Sequence, residues 1–392
     1  MTHSEEQPST DPYLSVIVPA HQAVEVLPRC LDAITRSDFP RDRMELIVVD
    51  DASSDETALV AAETADRVIR LPGNPRGPAY ARNRGVELSR GEVVVFVDSD
   101  VLVHPDTLSG FARVLEQRPD VAAVFGSYDD EPEDPGMVSQ YRNLLHHYVH
   151  LRNAGEAQTF WAGCGAVRKK ALEDVGLYDE WHYARPQIED IELGRRLSRH
   201  GHTILLDPTI QGTHLKRWTL WGMLSTDFRH RGVPWMWLIL HEGSEAASAL
   251  NTRSIEKWST ALMGLSLAAL LLALVTTEPA FLALAVIGPA FAMLANARLF
   301  GYLARKRGIT FAAGAIPLHM GYYVVNSLSV IWGWAMRHLW GEPQPPEDVA
   351  ALSQLGLSIW PPPPTKPHKG VWEETSEADR SRQDPPDPNE LP

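Results

Sequence analysis

Three short apolar runs in the first hundred residues alternate with stretches of helical periodicity. Each run is too short for a helix and is closed by a proline or by acidic residues. The apolar runs cover residues 14–18, 46–49 and 93–97. The helical spacing of apolar positions covers residues 24–35, 56–65 and 79–89. Strands that alternate with helices predict an α/β fold, Rossmann-like, with a mostly parallel central sheet.

The pattern is less regular between residues 125 and 214. An acidic loop with prolines covers residues 129–134. Helical spacing returns at residues 137–151 and 188–200. Residues 203–206 predict a last strand of the same domain.

Beyond residue 257 the chain becomes apolar over long stretches. A bilayer core about 30 Å thick needs about 20 apolar residues per helix. We therefore predict three transmembrane helices, at about residues 258–277, 280–303 and 309–336. A buried helical domain is the alternative, and Pro317 and His319 leave a kinked or re-entrant third segment open.

These patterns divide the chain into five parts. Residues 216–257 combine Trp with Lys and Arg, which is typical of a helix in the membrane interface; a packed linker is the alternative. The proline-rich acidic end cannot bury a core and is expected to be disordered. The expected parts are a polar arm at 1–13, an α/β domain at 14–215, the interfacial segment at 216–257, a transmembrane region at 258–340 and a tail at 341–392.

Basic residues set the expected orientation. Arg253 and Lys257 precede the first predicted span, and four basic residues, Arg298, Arg305, Lys306 and Arg307, lie between the charge-free part of the second span and the third. The link between the first and second spans has none. The positive-inside rule then places the first 257 residues in the cytoplasm, in a multi-pass protein of the inner (plasma) membrane.

Composition narrows the classes of function. The chain has 36 Lys and Arg against 50 Asp and Glu, for a formal net charge of −14. This charge argues against nucleic-acid binding, which needs a basic surface. Cys30 and Cys164 are too few for a disulfide framework. The mean hydropathy of −0.19 averages an acidic domain, apolar segments with basic flanks and an acidic tail.

Acidic residues stand where the predicted strands end. Asp50 and Asp51 follow the second strand, and Asp98 and Asp100 flank Ser99 after the third. Ligands of parallel sheets bind beyond the carboxyl ends of the strands. There, carboxylates can accept hydrogen bonds from a nucleotide base or a ribose, or bind a divalent cation that bridges a diphosphate. A solvated turn is the alternative for each pair taken alone.

Other candidates stand in loops and at helix ends. The loop and helix at residues 73–84, with Arg82 and Asn83, suit a phosphate. Glu189 and Asp190 begin a predicted helix, where acids either cap the helix or serve as a general base. His214 follows the last strand and is a candidate metal or diphosphate contact.

Two further features concern the acceptor, which is the substrate that would receive a transferred group. Gly163 and Gly165 flank Cys164, so a substrate could approach the backbone there, or the segment could be a tight turn. His146 and His150 are spaced i, i+4 without an acidic or Cys partner nearby in sequence. We expect their helix to border the acceptor site rather than to bind zinc.

Together these motifs resemble glycosyltransferase family 2, the inverting enzymes of GT-A fold. The resemblance covers roughly residues 13–214. It is carried by LSVIVPA (14–20), ELIVVDDASSDET (45–57), ARNRG (81–85), GEVVVFVDSDV (91–101), GCGAVRKKALEDVGLYDE (163–180), IEDIELGRRLSRHG (188–201) and His214.

The resemblance implies a nucleotide-diphosphate sugar donor, Mn²⁺ or Mg²⁺, and roles for individual residues. Asp50 and Asp51 fall on the base contact, Asp98 on the ribose contact, Asp100 and His214 on the metal, and Asp190, next to Glu189, on the catalytic base. The implied donor-binding set also takes in Pro19, Ala20, Glu25, Arg82, Asn83 and Ser99. The implied acceptor side takes in Gly163, Arg217 and Trp218.

Two departures from the family pattern affect the expected function. His21-Gln22 replaces a common Tyr-Asn, which leaves the nucleotide base open. Leu215-Lys216-Arg217-Trp218 keeps only the last two residues of the Gln-x-x-Arg-Trp signature, so processive synthesis is not expected. The leading expectation is a membrane-bound inverting transferase with a lipid-linked or polyprenyl-phosphate acceptor at the cytoplasmic face. The alternatives are transfer to a soluble or protein-bound glycan, with the spans only as an anchor, and a catalytically silent GT-A module that acts as an assembly partner.

Overall fold

The computed structural model describes residues 13–242 and 254–341. The predicted tail, nearly all of the predicted arm and part of the segment 216–257 lie outside the described residues. Seven helices of the α/β domain are α1 Leu27–Thr35, α2 Thr57–Ala62, α3 Pro78–Leu88, α4 Thr107–Gln117, α5 Met137–Arg152, α6 Lys169–Val175 and α7 Glu189–Arg199. The predicted helices at 24–35, 56–65, 79–89, 137–151 and 188–200 correspond to α1, α2, α3, α5 and α7 with small shifts at their ends.

Within the described residues, nine strands form one sheet in the order β3-β2-β1-β4-β8-β6-β9-β5, with β7 paired to β9. The strands are β1 Leu14–Ala20, β2 Met44–Asp50, β3 Arg67–Arg70, β4 Val93–Val97, β5 Val101–Val103, β6 Val121–Tyr128, β7 Gly155–Ala157, β8 Cys164–Arg168 and β9 Thr203–His214. The pairings give six strands one direction and reverse β5, β7 and β8. The predicted α/β fold with a mostly parallel sheet is confirmed.

The sheet is buried on both faces. In β1, Leu14, Val16 and Val18 pack into one apolar cluster, with α1 and α4. Ile17 packs into the other cluster, with α3, α6 and α7. Alternate residues of a strand point to opposite faces, so a doubly covered strand must be apolar throughout. This explains the continuous apolar runs in the sequence.

The last strand is longer than the predicted residues 203–206. β9 continues to His214 because it pairs with β6 a second time after an irregularity in the register, which passes from Phe125–Leu206 to Ser127–Gln211. The residues that bulge out include Pro208, which cannot donate a ladder hydrogen bond. The extension carries His214 to the edge where β4 ends.

The C-terminal helices pack directly on the α/β domain. They are α8 Leu220–Ser225, a π-helix Thr226–Gly232, α9 Val233–Glu242, α10 Ser254–Thr276, α11 Pro279–Ala285, α12 Ile287–Ala295, α13 Ala297–Arg307 and α14 Ile309–Trp340. A shared apolar cluster joins Tyr141 and Leu144 of α5 to Met223, Leu303 and Ala315. The two regions therefore have a common core.

The structure supports the three predicted transmembrane helices only in part. Among the described residues, only α10 is by itself long and apolar enough to cross a membrane. The second predicted span is divided into α11, α12 and α13, and the pair 279–295 and 297–307 meets the same criterion only as a unit bent by 59°. Pro289 in α12 cannot donate to Ala285, which accounts for the break at Val286. The third predicted span, α14, is one helix through Pro317 and does not meet the criterion. A multi-pass arrangement is therefore not supported.

Candidate active site

The carboxyl ends of β1, β2 and β4 meet at one edge of the sheet. β1 lies between the other two, and its last residue, Ala20, is in register with Asp50. The β4 end is fixed from the other side, because the Asp98 N–H donates to the Gly163 carbonyl oxygen at 3.1 Å. The four aspartates predicted from the sequence are thus gathered at one edge.

Arg82 joins two carboxylates that are far apart in the sequence. Its Nη2 donates to Asp98 Oδ1 at 2.8 Å, and its Nη1 donates to Glu189 Oε1 at 2.9 Å. Arg82 is only 3% exposed, whereas the Asp98 side chain keeps 33% of its surface exposed. Burial, partly offset by the Arg82 charge, raises the pKa of Asp98. Arg82 therefore positions Asp98 and the start of α7 in the same cleft.

Asp190 has the electrostatic setting of a proton acceptor. Its Oδ2 accepts from the Ala162 N–H at 3.2 Å, and its Oδ1 accepts from the Ile191 N–H at 2.8 Å. Burial and the neighbouring Glu189 charge raise the pKa of Asp190 to about 7. A carboxyl group with a pKa near neutrality is suited to general acid–base chemistry.

Asp100 and His214 form a second group in the cleft. His214 Nε2 lies 3.6 Å from Asp100 Oδ2, and the imidazole stacks on the Tyr128 ring with centroids 4.2 Å apart. Burial acts to raise the pKa of Asp100, but hydrogen bonding and charge from His214 outweigh it and the pKa is lowered. An ionised carboxylate beside an imidazole nitrogen fits Mn²⁺ or Mg²⁺, which usually take only one or two protein ligands at a diphosphate and fill the other positions with phosphate and water.

Asp50 and Asp51, taken together from the sequence, are separated by the structure. The Asp51 carboxylate accepts from the N–H groups of Arg76 and Gly77 at 2.7–3.0 Å, so it holds the loop that leads into α3. Gly77 has φ +91°, which favours glycine. Asp50 Oδ1 accepts from the Ser53 N–H at 3.1 Å. In the described part of the chain, Asp50 Oδ2 accepts no hydrogen bond and lies 3.6 Å from Arg70 Nε.

A cavity opens beside the end of β2. It measures ≈ 300 Å³ and is lined by Ala52, Ser53, Arg70, Leu71, Pro72 and Gly73. Ser53 and Arg70 also contact the Asp50 carboxylate. Asp50, rather than Asp51, is therefore the aspartate that adjoins a cavity of ligand size.

The remaining predicted donor residues differ in availability. Asn83 is fully engaged within the protein: its Nδ2 donates to the Tyr178 carbonyl and to Glu180, and its Oδ1 accepts from the Tyr178 N–H. It holds the 178–180 segment instead of facing the cleft. Pro19 and Ala20 end β1, and the Ala20 carbonyl accepts from the Asp51 N–H at 2.8 Å. Ser99 is half-buried between Asp98 and Asp100, and Glu25 is exposed just before α1.

The residues of the predicted acceptor side differ in their surroundings. A Cβ on Gly163 would lie 2.5 Å from the Trp161 ring, so the indole fills the space that the sequence left open for a substrate. Trp218 is half-buried, and its backbone N–H donates to Ser139 Oγ at 2.7 Å, which ties it to α5. Arg217, by contrast, is exposed.

The sequence reasoning missed an aromatic cluster around His214. Tyr128 and Trp161 have ring centroids 4.7 Å apart, and Trp161 also contacts His146 at 4.7 Å and His150 at 5.5 Å. Burial lowers the pKa of His150 to about 4. Tyr128 ends β6, and the apolar run 121–125 before it was the available signal. The π-helix adds Arg231, which lies within electrostatic range of Asp190 and Tyr128.

Comparisons with known proteins bear on the family and the fold of the chain. Residues 15–176 match the family model for glycosyl transferase family 2. Glycosyltransferase AglE of Haloferax volcanii is 25% identical over 241 residues, which are 59% of this chain and 76% of AglE. Poly(ribitol-phosphate) beta-N-acetylglucosaminyltransferase TarS of Staphylococcus aureus is 33% identical over 107 residues, which are 26% of this chain and only 19% of TarS.

A solved structure extends the likeness in fold to the C-terminal helices. The mannosyltransferase PcManGT from Pyrobaculum calidifontis, in complex with GDP-Man and Mn²⁺, matches with a TM-score of 0.54 and 22% identity. The match covers 83% of this chain and 88% of PcManGT. The fold is consistent with the GT-A type, and residues 15–176 are similar to glycosyl transferase family 2.

Proposed function

We propose that this protein transfers a sugar, with inversion, from a nucleotide-diphosphate sugar to an acceptor at a membrane surface. The observation that carries the proposal is the setting of Asp190. Its carboxyl group has a pKa of about 7 and lies within electrostatic range of Arg82 and Asp98 in the cleft where the sheet strands end. One site thus contains both a proton acceptor and the carboxylates that would bind the nucleotide sugar.

The acidic edge of the sheet supports the proposed donor site. The cavity of ≈ 300 Å³ beside Asp50 is of a size for a nucleotide base, and Asp50 Oδ2, which accepts no hydrogen bond within the described residues, would accept from the donor edge of that base. Asp98, oriented by Arg82, would accept from a ribose hydroxyl. Asp100 and His214 would hold Mn²⁺ or Mg²⁺. When bound, the metal neutralises charge on the leaving diphosphate.

The transfer step needs one proton acceptor. As the acceptor oxygen forms its bond to the anomeric carbon, the bond from that carbon to the diphosphate breaks and the nucleoside diphosphate leaves with the electron pair. The acceptor hydroxyl proton passes to the Asp190 carboxylate, which the N–H groups of Ala162 and Ile191 hold in place. Attack from the face opposite the leaving group inverts the anomeric centre.

The exposed surface of α10 favours a lipid-linked acceptor. Leu265, Leu271, Leu274 and Val275 are all exposed on this helix, which is long and apolar enough to enter a bilayer. An enzyme held at a membrane meets acceptors whose reactive group is at the same surface. TarS, named for transfer to poly(ribitol-phosphate), is a relative that acts on a polymer, so a glycan acceptor is the outcome that would replace a lipid.

The test is Asp190→Asn in the full chain. Purified protein is incubated with a panel of nucleotide sugars, Mn²⁺ and a lipid extract, and products are identified by mass spectrometry. We expect transfer to a hydroxyl to fall by about 100-fold or more, since general-base catalysis contributes about 10²–10⁴. Donor binding measured by calorimetry is expected to change less than about twofold, because the neutral amide keeps the shape of the side chain.

Three outcomes would count against parts of this proposal. Loss of donor binding in Asp190→Asn would refute the base role. Transfer that persists in the variant points to an acceptor already ionised at neutral pH, such as a phosphate monoester, which needs no base. Absence of both donor hydrolysis and transfer in the unmodified protein would favour the catalytically silent module.

A further inference from the structure

A second cavity lies away from the sheet edge, between α5 and α13. It measures ≈ 380 Å³ and is lined by Tyr148, Arg152, Ala297, Arg298, Gly301 and Arg305. On α5, His147 and His150 hydrogen-bond to carbonyl groups of β6, whereas Tyr148 and Arg152 lie on the opposite side of the helix. The cavity is therefore separate from the proposed donor site.

Three arginines line this cavity without a counter-charge. Within the described ranges, Arg152, Arg298 and Arg305 form no ion pair, and all three are exposed. The Arg152 guanidinium lies 5.8 Å from the centre of the Tyr148 ring. An uncompensated cluster of guanidinium groups attracts an anion, and phosphate suits their planar hydrogen-bonding geometry.

The basic residues at the end of α13 differ in what they contact. Lys306 pairs with Asp130, and Arg307 donates to Gln140 Oε1 and to the Asp130 carbonyl, so both hold α13 on the α/β domain. Arg305 faces the cavity instead. A Cβ on Gly301 would lie 3.7 Å from Arg305 Nη1, so the guanidinium lies over a position that has no side chain. The cavity floor is open because residue 301 is glycine.

Exposed apolar side chains are close in sequence to the arginines. Met293 and Leu294, near the end of α12, are 44% and 75% exposed, and Leu151, which precedes Arg152 in α5, is 43% exposed. Apolar surface beside a basic pocket matches a lipid, which has acyl chains attached to an anionic headgroup. A free phosphate would use only the arginines, and the net charge of −14 disfavours nucleic acid.

We infer that the cavity between α5 and α13 binds the phosphate-bearing headgroup of an anionic membrane phospholipid. Basic pockets between helices at a membrane surface bind headgroups in this way. The bound lipid would link α13 to α5 of the catalytic domain and so fix the domain at the membrane. This inference rests on the membrane association proposed above and is independent of sugar transfer.

The test compares the binding of different lipids to the full chain in a non-ionic detergent. Native mass spectrometry counts bound phosphatidylglycerol and bound phosphatidylcholine at matched concentrations, with inorganic phosphate as a third ligand. We expect phosphatidylglycerol to bind at least about tenfold more tightly than phosphatidylcholine, and millimolar phosphate to compete only weakly. Arg152→Gln, Arg298→Gln and Arg305→Gln together should weaken phosphatidylglycerol binding by about 100-fold, given the contribution of each basic residue at an anionic surface.

The matched control removes three charges elsewhere. Arg36, Arg113 and Lys170 are exposed on the α/β domain, and their combined change to Gln should alter lipid binding by less than about twofold. A second variant, Gly301→Met, keeps every charge and fills the cavity floor, so it too should lose the preference for phosphatidylglycerol. Donor hydrolysis should be unchanged in all three variants.

Several results would overturn the inference. Equal binding of the two lipids, an equal loss in the control variant, or full binding in both cavity variants would each exclude a specific headgroup site. Tight binding of inorganic phosphate alone would identify a phosphate site without a lipid. A protein that transfers sugar but shows no lipid preference would lose only this inference, and one that shows the preference without transfer would lose only the proposed activity.

Discussion

The carboxyl groups of Asp190 and Asp100 lie in the same cleft, yet their pKa values move in opposite directions. Burial and Glu189 raise the pKa of Asp190 to about 7. For Asp100 the burial effect is overcome by His214, and the pKa is lowered. One carboxyl group is thus suited to exchange a proton near neutral pH, and the other to remain an anion that binds a cation.

The raised pKa of Asp190 predicts the acid limb of the pH–rate profile. A general base works only when deprotonated, so kcat/KM for a hydroxyl acceptor should fall as the pH drops below about 7. Above that pH the rate should level off. Initial rates measured between pH 5 and 9 would check this. The residual activity of Asp190→Asn should show no such fall with decreasing pH. A fall centred near pH 4 in the unmodified protein would contradict the assignment.

The proposed metal role of Asp100 gives a second prediction at this scale. Treatment with EDTA should abolish transfer, and added Mn²⁺ or Mg²⁺ should restore it. Asp100→Asn should lower activity by about 100-fold or more, because charge on the leaving diphosphate is then poorly stabilised. The exposed Asp120→Asn serves as a control that keeps both activity and metal response. Activity of the unmodified protein that is unchanged in EDTA would argue against metal dependence.

At the scale of elements, the position of Asp190 depends on how closely α7 approaches the segment before β8. A Cβ on Gly194 would lie 2.1 Å from the Phe160 backbone nitrogen and 2.4 Å from the Thr159 carbonyl carbon. Only glycine permits this approach. The same contact brings the first turn of α7 to Ala162, whose N–H donates to Asp190.

Gly194→Ala should therefore damage both stability and activity. We expect a loss of about 1–3 kcal/mol in unfolding free energy, or more because the clash is with backbone atoms. Activity should fall as well, since Asp190 moves with α7. Gly321→Ala in α14 is the matched control: its Cβ would meet only Leu224 Cδ2, at 3.8 Å, and should not destabilise. Thermal unfolding in detergent compares the two, and equal midpoints would refute the packing argument.

At the scale of the whole molecule, a buried ion pair joins the α/β domain to the C-terminal helices. Arg142 of α5 donates to Asp227 of the π-helix through two bonds of 2.5 and 3.1 Å. Both side chains are buried. The pair lies beside the shared apolar cluster that contains Tyr141, Leu144 and Met223, so it fixes the orientation of one region on the other.

Removing one partner of this pair should loosen the junction. Asp227→Leu leaves a buried guanidinium without its counter-charge, which typically costs about 3–5 kcal/mol. Hydrogen exchange of residues 220–242 should become faster while that of β1 and β2 stays slow. The control is Lys306→Gln, which breaks the more exposed pair with Asp130 and should cost less than about 1 kcal/mol. Similar exchange in both variants would show that the apolar cluster alone holds the junction.

Much of the site was predictable because it follows from local patterns. A strand covered on both faces must be apolar, and the first polar residues after it must lie at its end. Asp50, Asp98 and Asp100 are placed by this rule alone. The order of motifs then adds Asp190 and His214 by resemblance, and residues 15–176 match the family model.

The tertiary structure decided what depends on contacts between distant segments. Arg82 contacts Glu189, which is 107 positions away in the sequence. Asp51 is less available to a ligand than Asp50 because its carboxylate oxygens accept hydrogen bonds from the loop before α3. The same holds for Trp161, whose ring fills the space beside Gly163. Apolar composition alone does not fix the number of spans, since α12 and α14 bury apolar and small side chains against other helices. Periodicity reports which residues avoid water, whereas packing determines what covers them.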